Sequence, residues 1–248
     1  MISCKSPQEL KYMRDAGRVV AGALEEISKA VRPGVTTAEL DRIAEDYLEK
    51  AGAIPAFKGY HGYPACICTS INEEVVHGIP GLRELKDGDI ISIDVGAQVK
   101  GYYGDCAVTL PVGNVSQEAL DLIEVTKKSL EIGIDHARVG NRLSDISHSI
   151  QKFVESRGYS VVRDYVGHGI GRQMHEEPQV PNFGEPGRGP RLREGMTLAI
   201  EPMVNAGTYE VEVLPDNWTV VTKDRRLSAH FEHTVAITSR GPEILTRR

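Results

Sequence analysis

The chain has 248 residues, 40% of them hydrophobic and 26% charged, with a net charge of -6. That is ordinary globular composition, and its acidity argues against a nucleic-acid-binding surface as the main function. Cys4, Cys66, Cys68 and Cys106 match neither a zinc-ribbon spacing nor a disulfide framework. No run of roughly 18 apolar residues suggests a membrane span, and MISCKSPQEL lacks a basic-then-apolar signal region. The expectation is a soluble, reduced, cytoplasmic protein with no membrane or specific nucleic-acid partner.

Ser6-Pro7-Gln8-Glu9 reads as a capping box with proline at the first helical position. Leu10, Met13, Val20, Leu24 and Ile27 then recur at helical spacing. Thr36 and Glu39 cap a second helix with Leu40, Ile43, Ala44, Tyr47 and Leu48 on its apolar face, and Gly52 ends it. Strands are expected near 65–71, 90–96 and 102–110. Ser116 starts a helix running to about 135, and another spans Leu143 to Arg157. Strands near 160–167, 196–204 and 229–237 follow, with a hairpin-like region around 208–222. Cys66 and Cys68, at i and i+2, fall on one strand face; Cys66 is read as a packing residue.

The order helix, helix, strands occurs twice, and the sequence itself repeats. LKDGDIISID (85–94) aligns with LREGMTLAIE (192–201), so Asp94 meets Glu201. GVTTAELDRIAEDYLEKAG (34–52) aligns with GNRLSDISHSIQKFVESRG (140–158) at the same offset to within one residue. His61 in YHGY then lies over His168 in GHGI. The expectation is one α+β domain of two repeated halves, about 1–112 and 113–248. Its strands would form one curved antiparallel sheet with the helices on the outer face.

Asp94 sits in IISIDVG, where Ile91, Ile93 and Val95 alternate with Ser92 and Asp94 as in a strand covered on both faces. A buried carboxylate is costly unless paired or bound to a metal, and the repeat brings Glu201 to face it. Two such acids repel unless one takes a proton or a cation intervenes. Asp105, His168 and Glu232 are polar residues stranded in similar apolar or glycine-rich segments. Four carboxylates balance two divalent cations. A donor set of oxygens with one imidazole and no thiolate suits manganese, iron, cobalt or zinc. A lone aspartate in a strand is more often a turn or salt-bridge residue, and a glycine-flanked histidine more often a loop residue. The repeat pairing and the number of acids weigh toward metal.

The order of Asp94, Asp105, His168, Glu201 and Glu232 in SIDVGAQVKGYYGDCA, YVGHGIGRQMHEEP, LAIEPMV and HFEHTVAIT resembles that of the methionine aminopeptidases. GYHGYPACICTSINEEVVHGIP and PDNWTVVT are similar to the bacterial type I form. The resemblance covers essentially the whole chain and implies the pseudo-twofold pita-bread fold. It implies excision of the initiator methionine from nascent chains when the second residue is small, by hydroxide attack at a dinuclear metal centre. Asp94, Asp105, His168, Glu201 and Glu232 would be the ligands, with Asp105 and Glu232 bridging. Glu201 would also handle the proton of the attacking water, His175 would steady the carbonyl oxygen, and His77 would contact the scissile amide. Tyr60, Tyr63, Cys68 and Trp218 would build the methionine pocket. Met174 and Phe57 stand nearby, where a phenylalanine and a cysteine are common. Asn72 and Ser228 match positions that hold a monovalent cation. His61 is expected near the site but not as a ligand, and His136, His148, His230 and His233 receive no chemistry. The implied protein is a monomer that meets nascent N-termini, with ribosome contact consistent with that role.

Two rivals fit part of this pattern. X-Pro peptidases of the same fold share the ligand types, but usually carry a separate N-terminal domain, whereas the first capped helix starts here at residue 6. Non-catalytic binding proteins on the fold tend to lose ligands, and all five are present.

Overall fold

The computed structural model describes residues 2–247. Helices form where a cap coincides with an apolar stripe. In α1 (Pro7–Ala30), Ser6 Oγ accepts the Glu9 N–H while the Glu9 carboxylate accepts the Ser6 N–H at 2.9 Å. Such a cap is worth about 1 kcal/mol. Leu10, Met13, Val20, Leu24 and Ile27 are buried, as their spacing predicts. In α2 (Thr37–Lys50), Thr36 and Glu39 form the same reciprocal pair. Leu40, Ala44 and Leu48 are buried there, while Ile43 and Tyr47 are only partly so. Ser116 caps α3 (Gln117–His136). No small polar residue caps α4 (Leu143–Ser156); instead the Asp145 carboxylate accepts the Arg142 N–H at 2.7 Å.

The first half contributes β1 (Ile54–Pro55), β2 (Ile67–Ile71), β3 (Glu74–Val76), β4 (Ile90–Val99) and β5 (Tyr102–Pro111). The second contributes β6 (Ser160–Val161), β7 (Gly167–Gly169), β8 (Glu176–Val180), β9 (Thr197–Ile200) and β10 (Met203–Asn205). It continues with β11 (Val211–Val213), β12 (Val220–Thr222), β13 (Ser228–His230), β14 (His233–Thr238) and β15 (Gly241–Ile244). Among the described residues every pairing is antiparallel, as expected, but the strands divide into four sheets rather than one. In the first, β4 carries β5 on one edge and β2 then β1 on the other. The others run β13-β10-β6, β11-β12-β3 and β15-β14-β9-β7-β8.

The division has a local cause. Three long strands expected from the sequence are interrupted, two of them at one level: β9 and β10 flank Glu201-Pro202, and β13 and β14 flank Phe231-Glu232. Proline has no N–H to donate to a ladder. Across the break the Phe231 N–H still reaches the Pro202 carbonyl, at 3.3 Å. The expected hairpin at 208–222 is β11–β12, and β3 of the first half extends it.

Apolar residues pack into two main cores. Val20, Leu24, Leu40, Leu48, Ile67 and Ile93 belong to the first. Leu122, Ile146, Ile150, Leu198, Ile200 and Val235 belong to the second. Helix α1 covers β4 and β5, and α3 lies against β5, β9, β10, β13 and β15. Cys66, just before β2, joins the first core and donates its N–H to Asp41 at 2.8 Å. Cys68 instead packs with Phe57, Tyr63 and Met174. The expected shared strand face fails because strand alternation does not reach back to Cys66. Among the described residues no helix is long and apolar enough to cross a membrane.

Candidate metal centre

The β4–β5 hairpin fixes the first two acids. Lys100 and Gly101 have φ of 53° and 79°, the double positive φ of a two-residue turn that matches strand twist. The resulting register sets Asp94 opposite Ala107 and Asp105 opposite Gly96. Because side chains alternate with period two, Asp94 and Asp105 share one face as diagonal neighbours.

His168 comes from β7, between β8 and β9. A Cβ on Gly167 or Gly169 would overlap the carbonyl oxygen of Ala199 or Glu177, so only glycine lets the flanking strands approach this closely. His168 Nδ1 lies 2.8 Å from the Gly169 carbonyl oxygen. A carbonyl can only accept, so Nδ1 carries the proton and Nε2 presents a lone pair. Nε2 stands 3.5 Å from Glu201 Oε1 and 3.9 Å from Asp105 Oδ2. Glu201 and Glu232 occupy the two strand interruptions, and Asn182 donates to the Glu201 main-chain oxygen at 3.1 Å.

Asp94, Asp105, His168, Glu201 and Glu232 all line one cavity of about 300 Å³. One donor atom each from Asp105, His168 and Glu232 lies within 4.8 Å of the others. Asp94 Oδ1, Asp105 Oδ1 and Glu232 Oε1 are buried and have no hydrogen-bond partner. Burial pushes the Asp94 carboxyl up to about 7. Burial, then the charges of Glu232 and Asp94, push Asp105 well above its ordinary range. Burial and neighbouring acids do the same to Glu201 and Glu232. Burial pushes His168 down to about 3, which keeps the imidazole neutral. Unpartnered buried carboxylate oxygens around an imidazole lone pair fit divalent cations, which would supply the missing partners.

The same cavity has an apolar side lined by Phe57, Tyr63, Cys68, Met174 and Trp218. Cys68 is the direct cross-strand neighbour of Asp94, so this slot adjoins the acids. Asp216 shapes the turn that presents Trp218, accepting the N–H groups of Trp218 and Thr219 at 2.9 Å each. Trp218 meets Tyr63 edge-on with centroids 5.0 Å apart. His77 follows β3 and faces Tyr165 and Trp218 at 5.5 and 6.5 Å; burial and the charge of His175 push it down to about 4. Tyr60 and His61 also line the cavity. His175 stands 4.2 Å from His168, ring to ring, and its Nδ1 lies 2.7 Å from the Tyr60 hydroxyl.

His230, given no chemistry from the sequence, also lines the cavity. Its Nε2 is 3.7 Å from Glu201 Oε2, buried and without a hydrogen-bond partner. The available signal was its place two residues before Glu232 in AHFEH; both side chains line the cavity although Glu232 lies in the break after β13. Asn72 and Ser228 lie outside the cavity and meet through the Ser228 N–H and the Asn72 carbonyl at 2.8 Å.

Comparison with known proteins agrees with this geometry. Residues 11–239 match the model of metallopeptidase family M24. A methionine aminopeptidase of Bacillus subtilis is 60% identical over 247 residues, covering 100% of both chains. One of Clostridium acetobutylicum is 61% identical, covering 99% of each. The solved methionine aminopeptidase of Thermotoga maritima superposes with a TM-score of 0.99 at 51% identity over 100% of both chains. A Bacillus anthracis Xaa-Pro dipeptidase shares the fold alone: its TM-score is 0.79 at 22% identity, and 62% of its length is covered. By sequence along nearly its whole length and by fold, the chain belongs to metallopeptidase family M24.

Proposed function

We propose that the chain is a methionyl aminopeptidase that removes the initiator methionine from nascent proteins whose second residue is small. The observation that carries this reading is the shared cavity: unpartnered buried carboxylates and the His168 lone pair lie beside a slot walled by Tyr63, Cys68 and Trp218. The relatives named methionine aminopeptidase at 60% identity over the full length support it. It makes the whole chain a single catalytic domain of two repeated halves, about 1–112 and 113–248, which the two separate cores favour.

Asp94, Asp105, His168, Glu201 and Glu232 would hold two divalent ions, cobalt, manganese, iron or zinc. When bound, such ions polarise the scissile carbonyl and acidify a water to act as nucleophile. Glu201 would take the proton of the attacking water. His175 donates to the carbonyl oxygen as it gains charge, and His77 contacts the scissile amide. Tyr60, Tyr63, Cys68, Met174 and Trp218 receive the methionine side chain, an unbranched thioether suited to sulfur–aromatic contact. The same reading assigns Asn72 and Ser228 to a monovalent cation, and describes a cytoplasmic monomer acting on N-termini emerging from the ribosome.

The test is metal analysis of protein purified without added metal, paired with titration of cobalt or manganese against hydrolysis of Met-Ala-Ser. Activity that rises with metal and saturates at two ions per chain supports the reading. Full activity in the thoroughly chelated protein contradicts it.

A further inference from the structure

We infer that Tyr60 is a positioning residue that acts through His175: its hydroxyl donates to His175 Nδ1 and fixes the tautomer in which Nε2 carries the proton. The inference deepens the proposed role of His175 at the scissile carbonyl and rests on it. Among the described residues, the Tyr60 hydroxyl at 2.7 Å is the ring's hydrogen-bond partner. The rings are 5.2 Å apart and tilted by 37°.

The direction of this bond follows from acidity. A phenol titrates near 10, far below the N–H of a neutral imidazole, and the bare imidazole nitrogen is the stronger base of the two acceptors. The favoured bond is therefore O–H to Nδ1. Neutral imidazole has one N–H, so a bond accepted at Nδ1 sends the proton to Nε2. Only that tautomer offers the carbonyl oxygen a donor; the other would turn a lone pair toward growing negative charge. The bond also resists rotation of the ring.

Local structure holds the hydroxyl in place. Tyr60 is 37% exposed, so packing alone does not fix it. It rides instead on a closed loop, with Tyr60 N–H bonded to the Phe57 carbonyl at 2.9 Å and Gly59 N–H to the Tyr63 carbonyl at 2.8 Å. Gly59 and Gly62, at φ of 85° and 89°, take the left-handed backbone that this path needs and that glycine adopts without strain. The Tyr63 hydroxyl anchors the loop, donating toward the Ile67 and Gly78 carbonyls at 3.1 and 2.9 Å. A wall of the methionine slot needs the Tyr60 ring but not its oxygen, so Tyr60→Phe separates the two roles.

In the metal-loaded full-length protein, Tyr60→Phe should lower kcat on Met-Ala-Ser about tenfold, the low end for losing a partner that orients a functional histidine. KM and metal content should stay near the parent's. In a double-mutant cycle, Tyr60→Phe should cost nothing further in a His175→Ala background. A kcat unchanged in Tyr60→Phe, or equal losses in both backgrounds, overturns the inference. A second readout needs no turnover: nitrogen NMR of 15N-histidine-labelled, zinc-loaded protein should show His175 protonated at Nε2, and Tyr60→Phe should move it toward a tautomer mixture. A parent spectrum showing Nδ1–H overturns the inference whatever the substrate proves to be. Failure to cleave methionine peptides with the Nε2–H signal intact counts against the proposed function instead.

Discussion

Glu201 and Glu232 face each other across a lapse in an otherwise continuous antiparallel register. Ile200 pairs with His233 on one side of the lapse and Met203 with His230 on the other. Directly opposed like charges destabilise a sheet, and burial followed by the charge of Glu201 drives the Glu232 carboxyl well above its ordinary range. The Glu232 N–H, freed from the ladder, crosses to the Ala107 carbonyl at 2.9 Å and ties the site to β5. Asp105 is tied back by Thr234, which accepts its N–H at 3.0 Å and donates to its carbonyl at 2.9 Å. The arrangement is costly for the metal-free protein and suited to a cation.

Asp105→Ala and Glu232→Ala should each abolish turnover and greatly weaken metal binding, because in the proposed ligand set each would serve both ions. Calorimetric metal titration with a peptide assay checks this. Normal activity with two bound ions in either variant would remove the residue from the ligand set.

His175→Ala should lower kcat on the order of 10²–10³, the usual loss for one donor to a developing oxyanion, with metal content intact. Steady-state kinetics and metal analysis on the same preparation decide the point. Loss of the metal would instead make His175 a ligand.

The stability of the metal-free protein should fall as pH rises from about 6.5 to 8. Asp94 is raised to about 7, and Asp105, Glu201 and Glu232 well above their ordinary range, so the folded chain binds more protons there than the unfolded one. Stability then declines with pH. His168 and His230, lowered to about 3, and His77 and His233, lowered to about 4, act oppositely where the unfolded chain binds more protons; that effect is strongest below 6.5 and fades through the lower part of the window. Thermal melts with and without a divalent ion should show the decline only without it. A metal-free Tm that rises across that window would contradict the assigned burial of these acids.

Much of this centre was legible because its logic is periodic. Asp94 was conspicuous in an apolar alternation, and the repeat supplied Glu201. The helices were legible because α1, α2 and α3 have side-chain caps and face-spaced apolar residues. The short strands β1, β3, β8 and β15 were not, since two to five residues with interspersed proline or glutamate carry little alternation. The strand breaks at Glu201-Pro202 and Phe231-Glu232 were also missed, although Pro202 marks where a ladder bond is lost. His230 escaped notice because its nearness to Glu201 comes from the pairing of β10 with β13, which is known only once the register is.

Trp218→Ala should raise KM for methionine peptides about tenfold, equivalent to about 1.4 kcal/mol of lost apolar contact, and leave the metals bound. A selective fall in kcat with KM unchanged would place Trp218 nearer the chemistry than the slot it shares with Tyr63.

Substrate selection tests the central claim most directly. Purified protein with added cobalt or manganese is offered Met-Ala-Ser, Met-Phe-Ser and Leu-Pro peptides in parallel. On the proposed reading, the slot beside Cys68 should admit an unbranched thioether and reject leucine, whose branch falls at the wrong carbon, while bulk at the second residue should meet the wall near His77. Efficient release of methionine from Met-Ala-Ser, with little from Met-Phe-Ser and none from Leu-Pro, is the predicted result. Preferential cleavage before proline, whatever the first residue, would contradict it.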